Sequence, residues 1–552
     1  MPTATSLQPD ESAAPPRNDR LPPLVFGWFA ALTVALYTGA LLLFVYRHST
    51  FIGDDLDIMV LMRSLSFGEF VLHPQDEHIV PLHRVVSYWV DGLAPRQFGV
   101  ALLVLYGFQL LNLVSVYRIL HLLELRGADD LALSGAESVA PGARGVLLER
   151  PTSWLLFVIY GTYLHVGSLF LWWTAGLHRL PFLALTATAI YYYLNYRWTR
   201  RSLALVVCAL CTLASFGFYT KAFLVPFYLI AIELCFWSAS HELSRYKNLT
   251  FLLALVIASC GYVIFWQRFQ PPFRQGLNSD PWFHLRFLKF TWLVLRDSTV
   301  GSLWHELPKL RWPSLLSSLG WCAAFTYTVF RRPSNLRVWG LLLLLLIMNA
   351  LATSMSKARS DLFGLAIALA TYRYYYELLI LVVVFTAIAL ARSRIGQPHA
   401  FALALGSRVR RAVNALGRGG LQLRRRRREG IWVARTACLA LLVGIACNSY
   451  ATSTELITGY YANNQRARNF LWRLEHDSWR IIAKQERPLR IVEGIVPKDL
   501  HGITEMLHSD LLFAWDIPHK VVPPGWNGAY RVTEFGHVVR EQAEARPALP
   551  VR

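Results

Sequence analysis

Charge is scarce in this chain of 552 residues. Asp, Glu, Lys and Arg make up 16% of it, against about 25% in soluble domains. Acids are the scarcer sign, 35 against 55 bases, which leaves a net charge of +20. Cysteine is sparse too. All seven (208, 211, 235, 260, 322, 438 and 447) fall in apolar segments, so no disulfide framework is visible and packing as small apolar residues is expected. Cys208 and Cys211 have CxxC spacing, but no second pair accompanies them. The first 21 residues lack the basic-then-apolar order and the small-residue cleavage site of a signal peptide, so the first apolar segment is expected to be retained. There is no repeat, and no low-complexity stretch beyond one arginine run.

What is present is apolar. Hydrophobic residues make up 54% of the chain and its mean hydropathy is +0.35. Several runs reach the roughly 20 residues that cross a bilayer. Eleven spans are predicted, near 24–46, 99–124, 152–173, 179–196, 202–219, 222–240, 249–267, 314–330, 338–355, 374–391 and 431–449. Residues 283–303 are apolar but too densely charged to cross, and suit a helix lying on the outer face. The apolar run at 361–372 is too short to cross.

Charge placement orients the spans. Between residues 391 and 430 eleven arginines face one acid, Glu429, a net +10. The 48–97 loop holds seven acids against three arginines, a net −4. Basic loops stay in the cytoplasm. The basic 392–430 loop and the 1–23 tail are therefore expected inside. The 48–97 loop and, after an odd number of spans, the C-terminus are expected outside. Arg424–Arg428 is read as a topology or anionic-lipid signal, so no nucleic-acid partner is expected. The transmembrane domain would occupy 24–449. Beyond 450 the composition turns polar, with a strand-like run at Leu489–Val496 and turn signals at Pro523-Pro524-Gly525. That suggests a small mixed α/β domain on the outer face.

Five constellations carry candidate chemistry. Asp54, Asp55 and Asp57 follow the first span; three acids in four positions raise a pKa or recruit a cation if desolvated, and otherwise form a solvated turn. His73, Asp76, Glu77, His78, His83 and Arg84 come next. Carboxylate and imidazole together suit a divalent metal, with Asp55, Glu77 and His78 as candidate ligands. His83 and Arg84 instead suit a phosphate, or simply snorkel from an amphipathic helix. Trp172-Trp173-Thr174-Ala175-Gly176-Leu177-His178-Arg179 is placed in the next outer loop, as an aromatic belt or as a basic contact. Lys221 sits at an outer turn, as an anchor or as a contact to an anionic substrate. Arg373-Tyr374-Tyr375-Tyr376-Glu377 opens a late span, where Arg373 would hold a lipid phosphate and the tyrosines would line the lipid path.

The acidic pair after the first span, the stretch Glu77-His78-Ile79-Val80-Pro81-Leu82-His83-Arg84 and the Arg373-Tyr374 pair together resemble the GT-C superfamily of integral membrane glycosyltransferases, its bacterial members above all. The likeness covers most of 24–391 by layout, with few specific matches; the C-terminal hundred residues match no module. The resemblance implies an all-α polytopic protein of the bacterial cytoplasmic membrane that takes sugar from a polyprenyl-phosphate carrier. The sugar, a hexose or a pentose, would pass to a cell-envelope glycan, lipid or protein acceptor at the outer face. It implies a base role for Asp54 or Asp55 and a carrier-phosphate role for Arg373. Lys221 and Arg84 would assist as cations, and Asp57, Glu77, His78, His83, His178, Arg179 and Tyr374 complete the candidate substrate site. Metal dependence stays open. The rival readings are a membrane acyltransferase using His78 or His83 as base, and a transporter or flippase. The latter would require charged spans and symmetric halves. Apart from Glu233 the spans are mostly uncharged, and no such symmetry is visible.

Overall fold

The computed structural model describes residues 24–74, 79–126, 151–163, 166–237, 242–269, 288, 291, 311–354, 373–393, 444, 446, 447, 450, 451, 454, 465–485, 487–497, 506–524, 526 and 528–541. Helices dominate. The chain opens with α1 (Leu24–His48), then three short helices over the 48–97 segment: α2 (Asp54–Ser64), α3 (Phe67–Leu72) and α4 (Pro81–Leu93). Next come α5 (Phe98–Arg126), α6 (Pro151–Gly161), α7 (Val166–Phe170), α8 (Trp173–Thr199) and α9 (Ser202–Phe216). A 3-10 turn, Thr220–Leu224, leads into α10 (Val225–Cys235). It is followed by α11 (Glu242–Phe269), α12 (Arg311–Arg331), α13 (Asn335–Ser354) and α14 (Arg373–Ser393).

Among the described residues five helices are long and apolar enough to cross a membrane: Trp28–His48, Phe98–Glu124, Tyr246–Arg268, Asn335–Thr353 and Tyr376–Ser393. Each matches an expected span. The remaining spans differ in detail. The stretch expected as one span over 152–173 breaks after Gly161, and the one expected over 179–196 is the interior of the longer α8. The stretch at 222–240 ends as a helix at Cys235. The break has a packing reason. A side chain at Gly161 would meet Val34 at 2.6 Å, and one at Gly176 would meet the Leu169 carbonyl at 2.2 Å. Two glycines thus let α6, α7 and α8 fold back tightly against α1 and α5, as small residues do where membrane helices approach closely. The expected span at 431–449 and the segments at 283–303 and 361–372 lie almost wholly outside the described residues.

The helix α14 is the centre of the bundle. It is apolar all round, as a helix enclosed by others must be, and nearly every residue from Tyr376 to Ala391 is buried. Around it pack α5, α6, α7, α8, α10, α12 and α13. The lipid-facing surface is made of exposed apolar side chains such as Leu36, Leu103, Leu253, Ile257 and Leu343.

After residue 465 the chain forms α15 (465–485), β1 (Leu489–Val492), α16 (His508–Ala514), β2 (His519–Val522), β3 (Tyr530–Val532) and β4 (Val538–Arg540). The sheet order is β2-β1-β3-β4, with β1 parallel to both neighbours and β4 antiparallel to β3. This unit docks on the 48–97 segment. Arg63 of α2 donates to Asp516 at 2.5 Å and to Asp91 at 3.2 Å, and α16 packs on α2. The two segments therefore share one side of the membrane.

The close approach at Gly176 sets where α8 begins. Gly176→Ala should lower stability by about 1–3 kcal/mol, the usual cost of overpacking. Gly261→Ala, where nothing lies within 4 Å of the added carbon, should leave it unchanged or slightly raised. Thermal unfolding of the detergent-solubilised variants checks the contrast.

Candidate active site

The acidic turn is built on Gly53. Its φ of +58° lies in the left-handed region that favours glycine, and the Trp172 indole packs 3.4 Å from where a side chain would sit. This turn launches α2, so Asp54, Asp55 and Asp57 all occupy a helix's first turn, where the helix dipole favours negative charge. Their environments then diverge. Asp54 and Asp57 are half-buried, while Asp55 is enclosed. Asp55 Oδ1 accepts from the Thr174 amide at 2.8 Å and the Thr174 hydroxyl at 2.5 Å, and Oδ2 accepts from the Ile52 amide at 3.2 Å. Asp55 thereby caps α8 from outside that helix, satisfying one of the amides that every helix start leaves open. Burial pushes its carboxyl up to about 7, with the Thr174 and Ile52 donors pulling part of the way back.

One turn further along α8 lies the second cluster. His178 and Arg179 belong to the helix, not to the outer loop expected for them, and both are buried. The Arg179 Nε donates to Glu377 Oε1 at 2.7 Å, and the Lys221 Nζ donates to Glu377 Oε2 at 2.9 Å. The Tyr219 ring lies beside both cations, 5.2 Å from the guanidinium and 5.6 Å from the ammonium. The charges of the three ionic groups sum to +1. His83 joins from α4. Its imidazole stacks on that of His178 at 4.3 Å, its amide donates to the Gly217 carbonyl at 3.0 Å, and His178 Nδ1 is 2.8 Å from the Phe218 carbonyl. A side chain at Gly217 would overlap Leu82 at 2.5 Å, so this glycine lets α4 dock there.

The structure thus gathers His83, His178, Arg179 and Lys221 around Tyr219 and Glu377, and links Asp55 to them through the first two turns of α8. It sends Arg84 elsewhere: its guanidinium lies 5.0 Å over the Phe70 ring of α3. Neither His83 nor Arg84 snorkels, since both are wholly buried. Trp173 is buried as well, so it is not part of an aromatic belt. Glu77 and His78 lie outside the described residues, as do the side chains of Arg373 and Tyr374 at the start of α14. Among the described residues no group of three His, Cys, Asp or Glu side chains is placed to hold a metal ion.

Two residues went unassigned in the sequence. Glu377 stood in the quoted motif without a role; its signal is a lone acid one turn into an apolar helix. Thr174 carried none. Glu233, the acid noted within a span, accepts from Arg197 at 2.6 Å, Tyr193 at 2.9 Å and Asn248 at 3.1 Å. Arg197 is therefore buried in this network.

No family model and no curated protein matches the chain. Two solved structures are similar to it. One is ArnT from Cupriavidus metallidurans bound to undecaprenyl phosphate, 14% identical, with a TM-score of 0.44. The other is the same protein in the apo state, also 14% identical, with a TM-score of 0.46. Both alignments cover 90% of this chain and 86% of that one. An overlap of this degree carries no argument about individual residues.

The raised carboxyl has a measurable consequence. Asp55 titrates near 3.8 when exposed and near 7 when folded. Between those values the folded chain keeps a proton that the unfolded chain has lost, so stability from this group is greatest below about pH 4 and falls as pH rises through 7. Asp55→Asn removes the titration. The melting temperature of the wild type relative to this variant should therefore drop between about pH 5 and pH 8; parallel melting curves would contradict a raised Asp55.

Proposed function

We propose that this chain transfers a sugar from a polyprenyl-phosphate carrier to an acceptor at the outer face of the membrane. One observation carries the reading: a buried cation pair, Arg179 and Lys221, held by one carboxylate, with Arg179 one turn along α8 from Thr174, the residue that Asp55 of the acidic helix start caps. Group transfer from a lipid phosphate needs these two things together. A carboxylate takes the proton from the attacking hydroxyl or amine, and fixed cations stabilise the phosphate as it leaves.

Asp55 has both oxygens engaged by donors, so it positions the acidic turn. Asp54, half-buried at the first position of α2, is the proposed base, with Asp57 on the same turn. Arg179 and Lys221 receive the leaving phosphate. Arg373, one helical turn before Glu377, remains a candidate for the same anion. The acceptor attacks the anomeric carbon as the bond to the phosphate oxygen breaks. The bond electrons leave with the phosphate, and the acceptor's proton passes to Asp54.

The assay uses nanodisc-reconstituted chain, a radiolabelled undecaprenyl-phosphate sugar and bacterial envelope fractions as acceptor. Undecaprenyl phosphate, bound in the ArnT crystal structure, serves as competitor. Asp54→Asn should cut transfer by about 10²-fold or more, the scale of general-base loss, at unchanged protein level. Lys221→Ala should weaken inhibition by undecaprenyl phosphate. Normal transfer by Asp54→Asn would remove it as base; unchanged inhibition in Lys221→Ala would remove the phosphate site.

A further inference from the structure

The helix α15 has two apolar faces. Ala467, Phe470, Leu471, Leu474 and Ile481 are buried within the C-terminal unit. On the opposite side Trp472, His476 and Trp479 recur at the spacing of one helix face. Trp472 is 62% exposed and Trp479 42%, and the His476 ring stacks on Trp472 at 5.0 Å. Large exposed aromatics on one stripe mark a surface that something covers.

Its position says what. The Arg468 guanidinium donates at 2.7 Å to the carbonyl of Arg47, in the last turn of the membrane-spanning α1. Glu475 faces Arg96 at 3.7 Å, two residues before α5 enters its span. The helix therefore lies across the ends of two spans. Bases outnumber acids on its flank, where Asp477 lies 3.6 Å from Arg480. Arg473, Arg480 and Lys484, spaced seven and four residues apart, form their own stripe. Tryptophan stays at the membrane–water boundary because one part of its ring is apolar and the other donates a hydrogen bond. Lys and Arg beside it attract lipid phosphate.

We infer that α15 lies on the outer headgroup layer, with Trp472 and Trp479 in the interface and Arg473, Arg480 and Lys484 on anionic lipid phosphates. The C-terminal unit is thus held down by protein contacts, Arg63 with Asp516, Arg468 with the Arg47 carbonyl and Glu475 with Arg96, and by the bilayer itself. The inference is independent of the transfer chemistry and survives its failure.

The test uses the full chain in nanodiscs containing an anionic phospholipid, and the Trp472→Phe/Trp479→Phe variant, whose changes are both on exposed positions. The wild-type minus variant emission isolates the two indoles. It should be blue-shifted, largely lost with lipids brominated near the headgroup end of the acyl chain, and retained in aqueous iodide. Loss to iodide with no effect of brominated lipid would overturn the inference. A soluble glycan that protects against iodide would assign the stripe to a polysaccharide instead. As a second readout, Arg473→Gln/Arg480→Gln/Lys484→Gln should reduce the brominated-lipid effect in anionic discs to that seen in zwitterionic ones. An unchanged effect would overturn the role of the charges.

Discussion

One end of this bundle depends on one carboxylate. Glu377 receives Arg179 on one oxygen and Lys221 on the other, and so ties α8, the 220–224 turn and α14 at a single point. All three side chains are buried. Removing one partner of such a group costs about 3–5 kcal/mol, because it strands charge in a poorly solvated place. In the proposed reaction, the two cations held by this carboxylate are what the leaving phosphate meets. A carboxylate between two cations fixes their geometry without cancelling them, so they can stabilise charge that develops later without first reorganising.

The second lock is the cap that Asp55 places on α8. Both locks use the same two helical turns, from Thr174 to Arg179, a rise of about 8 Å along the axis. Their relative placement is therefore as rigid as a helix. The break between Gly161 and Trp173 matters for the same reason. It frees the start of α8 to meet Asp55, and Gly176 brings the Leu169 carbonyl close enough to hold it there. His83 enters this frame through the Gly217 turn, so α4 is registered to α9 as well.

Much of this was legible in the chain and some was not. The five long apolar runs announced themselves by length and hydropathy, and the acidic turn by its charge. Lys221 stood out as a lone cation at a turn. His178 and Arg179 were visible as unusual residues but assigned to a loop, because paired tryptophans read as a span end. Pro181 does not break α8. Proline inside a helix removes one ladder hydrogen bond, which a helix packed among membrane helices tolerates. Glu377 could not be read as a clamp, since its two partners lie 198 and 156 positions away and nothing local signals them. Arg84 looked equivalent to His83, yet adjacent helical positions point about 100° apart, and only one of them faces the cluster.

The most direct test of the account is the position of a carrier phosphate. A cryo-electron microscopy structure of the nanodisc-embedded chain with undecaprenyl phosphate should place the phosphate within hydrogen-bond reach of Lys221 or Arg179, on the side of the cluster that faces the start of α2. A phosphate bound with neither cation in reach, while Glu377 still holds both, would contradict it.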